Sequence, residues 1–436
     1  MLSISCRTFY TLIIAMPGII TGCSEAGNTA KKDSPPATTI GLPEPSPISI
    51  QEKERINAAC QAWYDSALAP RGFNGGMLVA KNGNIAFEKY TGTVHIPGND
   101  SITENTPLHI ASVSKTFTAM AVLKLWQEDK LSLDDEFSKF FPAFNYPGIT
   151  IRSLLSHRSG LPNYTHFLEN LGWDKTRMAT NEEVLDFLIT RKAEMTDVSP
   201  ANTRFSYCNT NYALLALLIE KISGKTYADF IKQTFFIPLQ MKNSFVFTPA
   251  DTNRVSPSYG WRGRIETLNF LDQVYGDKNI YTTVRDLLIW DRALSSNLLF
   301  KPETLEQAYA GYSNEKPGIR NYGLGWRMYD YPNGKIIYHN GWWHGSNAAF
   351  IRLIHDSATI IVIGNKFTRA IYKARVLASI FGNYFGTADE EETEQAFSQH
   401  NTIDSLLKTP KTETKGKSKK QTSKIPQSAK KGKRNK

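Results

Sequence analysis

Ser112-Val113-Ser114-Lys115-Thr116-Phe117-Thr118-Ala119-Met120-Ala121-Val122-Leu123-Lys124-Leu125-Trp126 places a hydroxyl and an amine three residues apart at the head of a mostly apolar segment. Residues three apart share one face of a helix, so the Ser112 hydroxyl and the Lys115 amine are expected to stand side by side. A hydroxyl beside an amine is an activated nucleophile. If Ser112 also opens its helix, the free N–H groups and the positive end of the dipole favour the negative charge that develops as it attacks. The remainder of the segment is apolar on most sides and suits a buried helix.

Two later stretches belong with this one: Tyr207-Cys208-Asn209 and His339-Asn340-Gly341. Each pattern recurs elsewhere, S-x-x-K at Ser313, Ser405 and Ser428, and Y-x-N at Tyr312, Tyr331 and Tyr338. Context separates them. Ser405 and Ser428 lie in a charged tail, and Ser313 is followed at once by Lys316-Pro317, which breaks a helix before the pair could be presented. Other chemistries lack their signatures: there is no G-x-S-x-G elbow, no H-E-x-x-H and no paired C-x-x-C, so no metal and no cofactor are implied. Gly224-Lys225-Thr226 echoes a phosphate loop but reads as the end of one helix and the start of the next.

Taken in order, these motifs resemble those of the class C β-lactamase, D-alanyl-D-alanine peptidase and esterase superfamily of penicillin-recognising serine hydrolases. The likeness spans residues 51–386. Ile149 to Pro162 (ITIRSLLSHRSGLP), Asn211-Tyr212-Ala213-Leu214-Leu215 and Tyr322-Gly323-Leu324-Gly325-Trp326 also match family patterns. The resemblance implies that Ser112 is the nucleophile and that Lys115 with Tyr207 relays its proton. It implies that Asn209 orients a substrate amide, and that His339 stands where many relatives carry lysine, meeting the substrate's acid or the leaving group. It also implies an oxyanion hole from the backbone N–H groups of Ser112 and of Trp342, the residue after Gly341. Two departures stand out: Cys208 inside the middle motif, and the bulky Trp342-Trp343-His344-Gly345 after the third.

The resemblance implies a serine hydrolase acting through an acyl-enzyme on an amide or ester, such as a D-alanyl-D-alanine peptide. Small molecules and peptides are the expected substrates. An esterase or β-lactamase on the same site is the alternative, and a non-catalytic tethered binding protein is a further one. Read singly, the residues carry blander meanings. Ser112 could cap a helix, Lys115 could snorkel to water, Tyr207 could be a core aromatic and His339 a satisfied strand histidine. His157 reads as a cap or loop anchor after a short helix started by Thr150, and Cys208 as a small buried hydrophobe.

The chain has 436 residues and a formal charge of +10. Arg7, the apolar run Phe9 to Ile20 and Ile20-Thr21-Gly22-Cys23 have the shape of a bacterial lipoprotein signal, with lipid on Cys23. The expected organisation is a signal at 1–22, a Pro-rich tether at 23–50, the hydrolase at 51–386 and an acidic then basic disordered tail at 387–436. The expected place is the bacterial cell envelope, with a membrane partner through the lipid and the protein facing periplasm or exterior. Residues 401–436 hold all of the net charge, an arrangement suited to polyanion contact by charge alone. They lack aromatics, so no specific nucleic-acid reading is implied. Only Cys60 and Cys208 are left to pair, and spacing does not say whether they do.

The fold expected is α+β, an antiparallel sheet flanked by helices with a mostly helical inserted subdomain, as in β-lactamases and transpeptidases. A helix at 51–68 precedes two strands turning at Asn82-Gly83. Thr283 with Asp286 resembles a capping box ahead of another helix. Strands are expected next at Gly323 to Met328, Lys335 to His339, Ala348 to Ile354 and Thr359 to Gly364, then a closing helix from Arg369 to Tyr384. His339 is expected on the sheet's edge strand, with Ser112 and Tyr207 facing it across a cleft.

Overall fold

The computed structural model describes residues 39–332 and 334–384. Cys23, the signal stretch, the first part of the tether and the tail after 384 lie outside these residues. Helix α1 (Ile50–Trp63) is capped by Ser49, whose hydroxyl accepts the Glu52 N–H at 3.1 Å. Strands β1 (Gly75–Lys81) and β2 (Asn84–Thr91) join through Asn82 and Gly83, both at positive φ as a tight hairpin requires. After β3 (Leu108–His109) come helices α2 (Ser114–Gln127), α3 (Ile151–Leu155), α4 (Tyr164–Asn170), α5 (Asn181–Thr190), α6 (Asn209–Ser223) and α7 (Tyr227–Ile231). Short strands β4 (Phe245–Val246), β5 (Ser258–Tyr259), β6 (Ile265–Glu266) and β7 (Ile280–Thr282) lead to α8 (Val284–Ser295) and α9 (Pro302–Ala308). The chain returns to the sheet with β8 (Arg320–Tyr322), β9 (Arg327–Tyr331), β10 (Gly334–Trp343), β11 (Ser346–Leu353) and β12 (Ala358–Gly364).

Seven strands form one antiparallel sheet in the order β2-β1-β12-β11-β10-β9-β8. Both faces are covered, so β1 and β12 carry short continuous apolar runs, Met77 to Ala80 and Ile360 to Ile363. The two-residue pleat sorts them: Leu78 and Ala80 join Ile361 and Ile363 beneath the helical insert, whereas Met77 and Val79 join Ile360 and Val362 beneath Ile56 and Cys60 of α1. In the first layer Ser114 to Leu123 of α2 are all buried, and Phe117 stacks on Trp290 of α8 at 4.5 Å. An apolar α2 is therefore a central helix, as its composition requires.

Five expectations need correction. His339 is not on an edge strand, because β10 lies third from the edge. Pairing with β9 stops at Tyr338 opposite Arg327, however, so the segment from His339 to Trp343 runs past its neighbour's end. The strand expected over Gly323 to Met328 is split into β8 and β9, since the Gly323 N–H closes a tight turn on the Trp326 carbonyl at 2.8 Å. The closing helix is a run of 3₁₀ turns, Arg369–Ile380, packed on β11 and β12. Thr283 caps α8 by accepting the Asp286 N–H, yet no reciprocal bond forms, because the Asp286 carboxyl accepts from Asn243 N–H and Ser244 Oγ instead. Finally, the later part of the expected tether is held on the body. Ile40 N–H donates to Pro238 O, Asn84 Nδ2 to Ser46 O, and Arg292 to Pro43 O. Cys60 and Cys208 are both free thiols, one in each layer of the core.

Candidate active site

The α-helical part of α2 begins at Ser114, so Ser112 sits in a 3₁₀ turn, Ala111–Val113, that leads into it. Ala111 has a left-handed φ of 46°, a strained conformation for a residue with a side chain. The turn is pinned to β7, since Ile110 N–H donates to Ile280 O at 3.0 Å and Ile280 N–H donates to Ser114 Oγ at 3.1 Å. The expected pairing forms in spite of the different helix start: Lys115 Nζ lies 3.1 Å from Ser112 Oγ. Lys115 is fully buried, donates to the Asp277 carbonyl at 2.8 Å, and lies 5.0 and 5.6 Å from the ring centres of Tyr207 and Tyr212. Nζ therefore has two fixed acceptors and an aromatic wall.

The second motif enters from the head of α6. Cys208 is its N-cap and Asn209 its first residue, which holds Tyr207 just outside the helix, half-buried. The Asn209 Oδ1 is buried with no hydrogen-bond partner among the described residues. Cys208 behaves as a small buried residue, its Sγ 3.4 Å from the Leu161 carbonyl oxygen.

The third motif comes on β10. Gly341 has to be glycine, because a Cβ there would run into the Ile110 carbonyl oxygen and approach Ser112 N at 3.2 Å. The strand thus lies directly against the Ser112 turn. Trp342 is folded back, its indole N–H donating to His344 O at 2.8 Å and its ring 5.1 Å from Phe367. The bulk beside Gly341 is in part a buttress.

His339 is fully buried and both ring nitrogens are engaged within the protein, Nδ1 with Asn340 O at 2.7 Å and Nε2 with the Tyr322 hydroxyl at 3.3 Å. A carbonyl only accepts, so Nδ1 carries the proton and Nε2 faces the tyrosine as an acceptor. Burial, then the charges of Arg327 and Lys115, hold its pKa well below the usual histidine value. His339 is thus held in its uncharged form. A cation in this region comes instead from Arg327 on β9, whose guanidinium lies 5.1 Å from the Tyr207 ring centre.

Arg327, His157 and the Asp277 carbonyl were not read as site groups from sequence. Arg327 had no distinguishing context, and a backbone carbonyl has no residue signature. His157 did lie in a family-like stretch, which was its one available signal. Among the described residues, no group of three His, Cys, Asp or Glu side chains is placed to hold a metal ion.

Three buried histidines set the response to acid. Burial brings His109 down to about 3, and holds His157 and His339 well below the ordinary value as well. The unfolded chain titrates them near pH 6.5, so below that pH it takes up protons that the folded chain refuses. Their contribution is complete above about pH 6.5 and declines as pH falls, by up to about 1.4 kcal/mol per unit for each histidine. Thermal melts should show Tm dropping steadily from about pH 6.5 to about pH 4.5, and His109→Gln should shallow that slope. A flat profile in both proteins would show that these rings are not held neutral.

Comparison with known proteins identifies the family and the fold. A family model described as Beta-lactamase matches residues 62–380. The chain is 30% identical over 377 residues to Penicillin-binding protein 4* of Bacillus subtilis, covering 81% of this chain and 82% of that one. It is 26% identical over 277 residues to the D-aminopeptidase of Brucella anthropi, covering 62% of this chain but only 52% of that protein. Among solved structures, the octameric penicillin-binding protein homologue from Pyrococcus abyssi superposes with a TM-score of 0.64 at 25% identity, over 74% of this chain and 77% of the other. A class C beta-lactamase gives a TM-score of 0.62 at 20% identity over 77% and 97%, a likeness of fold.

Proposed function

Starting from the fact that the chain belongs to the beta-lactamase family, we propose that it is a serine hydrolase that cleaves a peptide-like amide ending in a free carboxylate, of the D-alanyl-D-alanine type, through an acyl-enzyme on Ser112. The observation that carries the reading is the 3.1 Å contact between the fully buried Lys115 Nζ and the Oγ of a half-buried Ser112, which β10 closes from one side. In the first step Ser112 Oγ bonds to the substrate carbonyl carbon while its one proton is taken up within the Lys115–Tyr207 pair. The carbonyl oxygen takes the negative charge toward the N–H groups of Ser112 and Trp342. Collapse breaks the C–N bond, and the relay returns the proton to the leaving amine. Water then attacks the ester and repeats the sequence, restoring Ser112 and releasing the acid.

Two features support an acidic amide over a simple ester. Asn209 Oδ1 is a buried acceptor with no partner among the described residues, matched in chemistry to a substrate N–H. Arg327 supplies positive charge beside Tyr207 and a neutral His339, where a carboxylate leaving portion finds its counter-charge.

The test is intact mass over time with benzylpenicillin, a strained amide bearing a carboxylate, for the wild type, Ser112→Ala and Arg327→Ala. A covalent adduct or consumption of the drug in the wild type, absent in Ser112→Ala, is expected. Arg327→Ala should raise the KM for a peptide with a free C-terminal carboxylate by about tenfold, with little effect on its carboxamide. A lasting adduct favours a slowly deacylating peptidase, and consumption without adduct a β-lactamase. If neither occurs and only activated esters turn over, the acidic-amide reading is overturned in favour of an esterase.

A further inference from the structure

The stretches around His157 and Tyr207, distant in sequence, are joined by a directed chain of hydrogen bonds. Leu161 N–H donates to Ser159 Oγ at 3.2 Å, and Ser159 Oγ donates to Asn211 Oδ1 at 2.6 Å. Asn211 is thereby turned so that its Nδ2 faces His157 Nδ1 at 3.3 Å. The same Nδ1 accepts the Cys208 N–H at 3.1 Å, and Ser206 N–H donates to His157 O at 2.9 Å. A backbone N–H can only donate, so Nδ1 holds a lone pair and the ring proton sits on Nε2. The residues on either side of Tyr207, Ser206 and Cys208, are thus both tied to His157 through their N–H groups.

The ring does more than accept. It packs 4.3 Å from the Tyr207 ring centre, with Tyr322 at 4.9 Å and Tyr212 at 5.0 Å completing a cage. His157 pays for this place with a left-handed φ of 55° and with a buried Nε2 that has no hydrogen-bond partner among the described residues. An aliphatic side chain would fill the same volume without an orphaned ring nitrogen, so volume alone does not account for the histidine. The charged and titratable groups facing the ring are Lys115, Arg327, His339 and the three tyrosines. Burial and the first three of these disfavour a second proton, which would destroy the Nδ1 acceptor.

We propose that His157 is a positioning residue for Tyr207: its Nδ1 lone pair and ring face hold the Tyr207-Cys208 peptide and the tyrosine ring in register with Lys115, and it stays outside the proton path. The proposal rests on the reading of Tyr207 as relay partner. It also assigns a purpose to Ser159 and Asn211, which fix the tautomer.

A double-mutant cycle on the full chain tests it, with the rate of acylation by benzylpenicillin or an activated ester as readout and thermal melts as the folding check. The variants are His157→Leu, His157→Asn, Tyr207→Phe and the two doubles. His157→Leu should slow acylation about 100-fold with KM little changed, and Tyr207→Phe should slow it by at least as much. His157→Asn keeps an acceptor near Nδ1 and tolerates the left-handed backbone, and should recover about tenfold of the loss. In the Tyr207→Phe background, either His157 substitution should change the rate by less than about twofold, since the residue acts only through the hydroxyl now missing. Should His157→Leu fail to fold, the cycle is read from His157→Asn alone. Additive losses, or a His157→Leu rate within about twofold of wild type, overturn the proposal while leaving the relay intact. A Tyr207→Phe protein with normal acylation overturns the relay reading, and this inference with it.

Discussion

Ser112→Ala should fold normally and lose at least about 10⁴-fold in turnover of any substrate, because no other group in the site can form the acyl bond. Alanine fits the same 3₁₀ turn, and the anchors of that turn do not involve the Ser112 side chain: Ile110 bonds the backbone of Ile280, and Ser114 carries the second contact. What is lost is one hydrogen bond from Lys115, which keeps its Asp277 acceptor, so the cost in stability is about 1 kcal/mol. Steady-state rates, adduct mass and a melting curve on the same preparation make the comparison. Retained turnover in a folded Ser112→Ala protein would falsify the nucleophile assignment outright. Retained reversible binding of benzylpenicillin is expected, since the groups around the pocket are untouched.

Lys115→Met is the second large effect, with acylation slowed by about 10²–10⁴-fold, the usual contribution of a positioned proton-transfer group. Methionine fills most of the buried aliphatic channel, and removing a buried amine removes its desolvation cost. Against this stands the Asp277 carbonyl, left without its donor. These effects oppose one another, so Tm should move by only a few degrees while activity collapses. Lys115→Arg discriminates further. The guanidinium is planar and larger, and the space beside Tyr207 and Tyr212 suits a compact amine, so Lys115→Arg should not restore the rate. Wild-type acylation by Lys115→Arg would mean that the site needs a positive charge there and not a proton carrier.

Much of this site could be read from short range. Ser112 and Lys115 meet because three residues span one turn, and the Asn82-Gly83 hairpin forms because two residues accept positive φ. These are local requirements that leave local marks. The misplacing of His339 at an edge is a matter of long-range pairing. Nothing near Gly75 announces that it will lie opposite Gly364, and nothing near His339 announces that β9 and β8 will add beyond β10. Arg327 becomes a site residue only through that added strand. His157 lies in a family-like stretch, but its partners, Cys208 and Asn211, lie about fifty residues away, so nothing local marks its role. The 3₁₀ lead-in at Ser112 likewise has no local mark, because the pull of Ile280 on that turn is tertiary.

The Ser112 turn is assembled from pieces that meet only on docking: the backbone of Ile280, the Asp277 carbonyl and the glycine at position 341. In the role proposed for it, the Ser112 hydroxyl therefore has no competent partial state. Local opening that lifts β10 from the turn, or β7 from Ile110, silences the hydroxyl long before the core melts. A covalent probe of Ser112 consequently counts molecules with all three pieces seated, and its labelling rate in mild denaturant is a gauge of the weakest of those contacts.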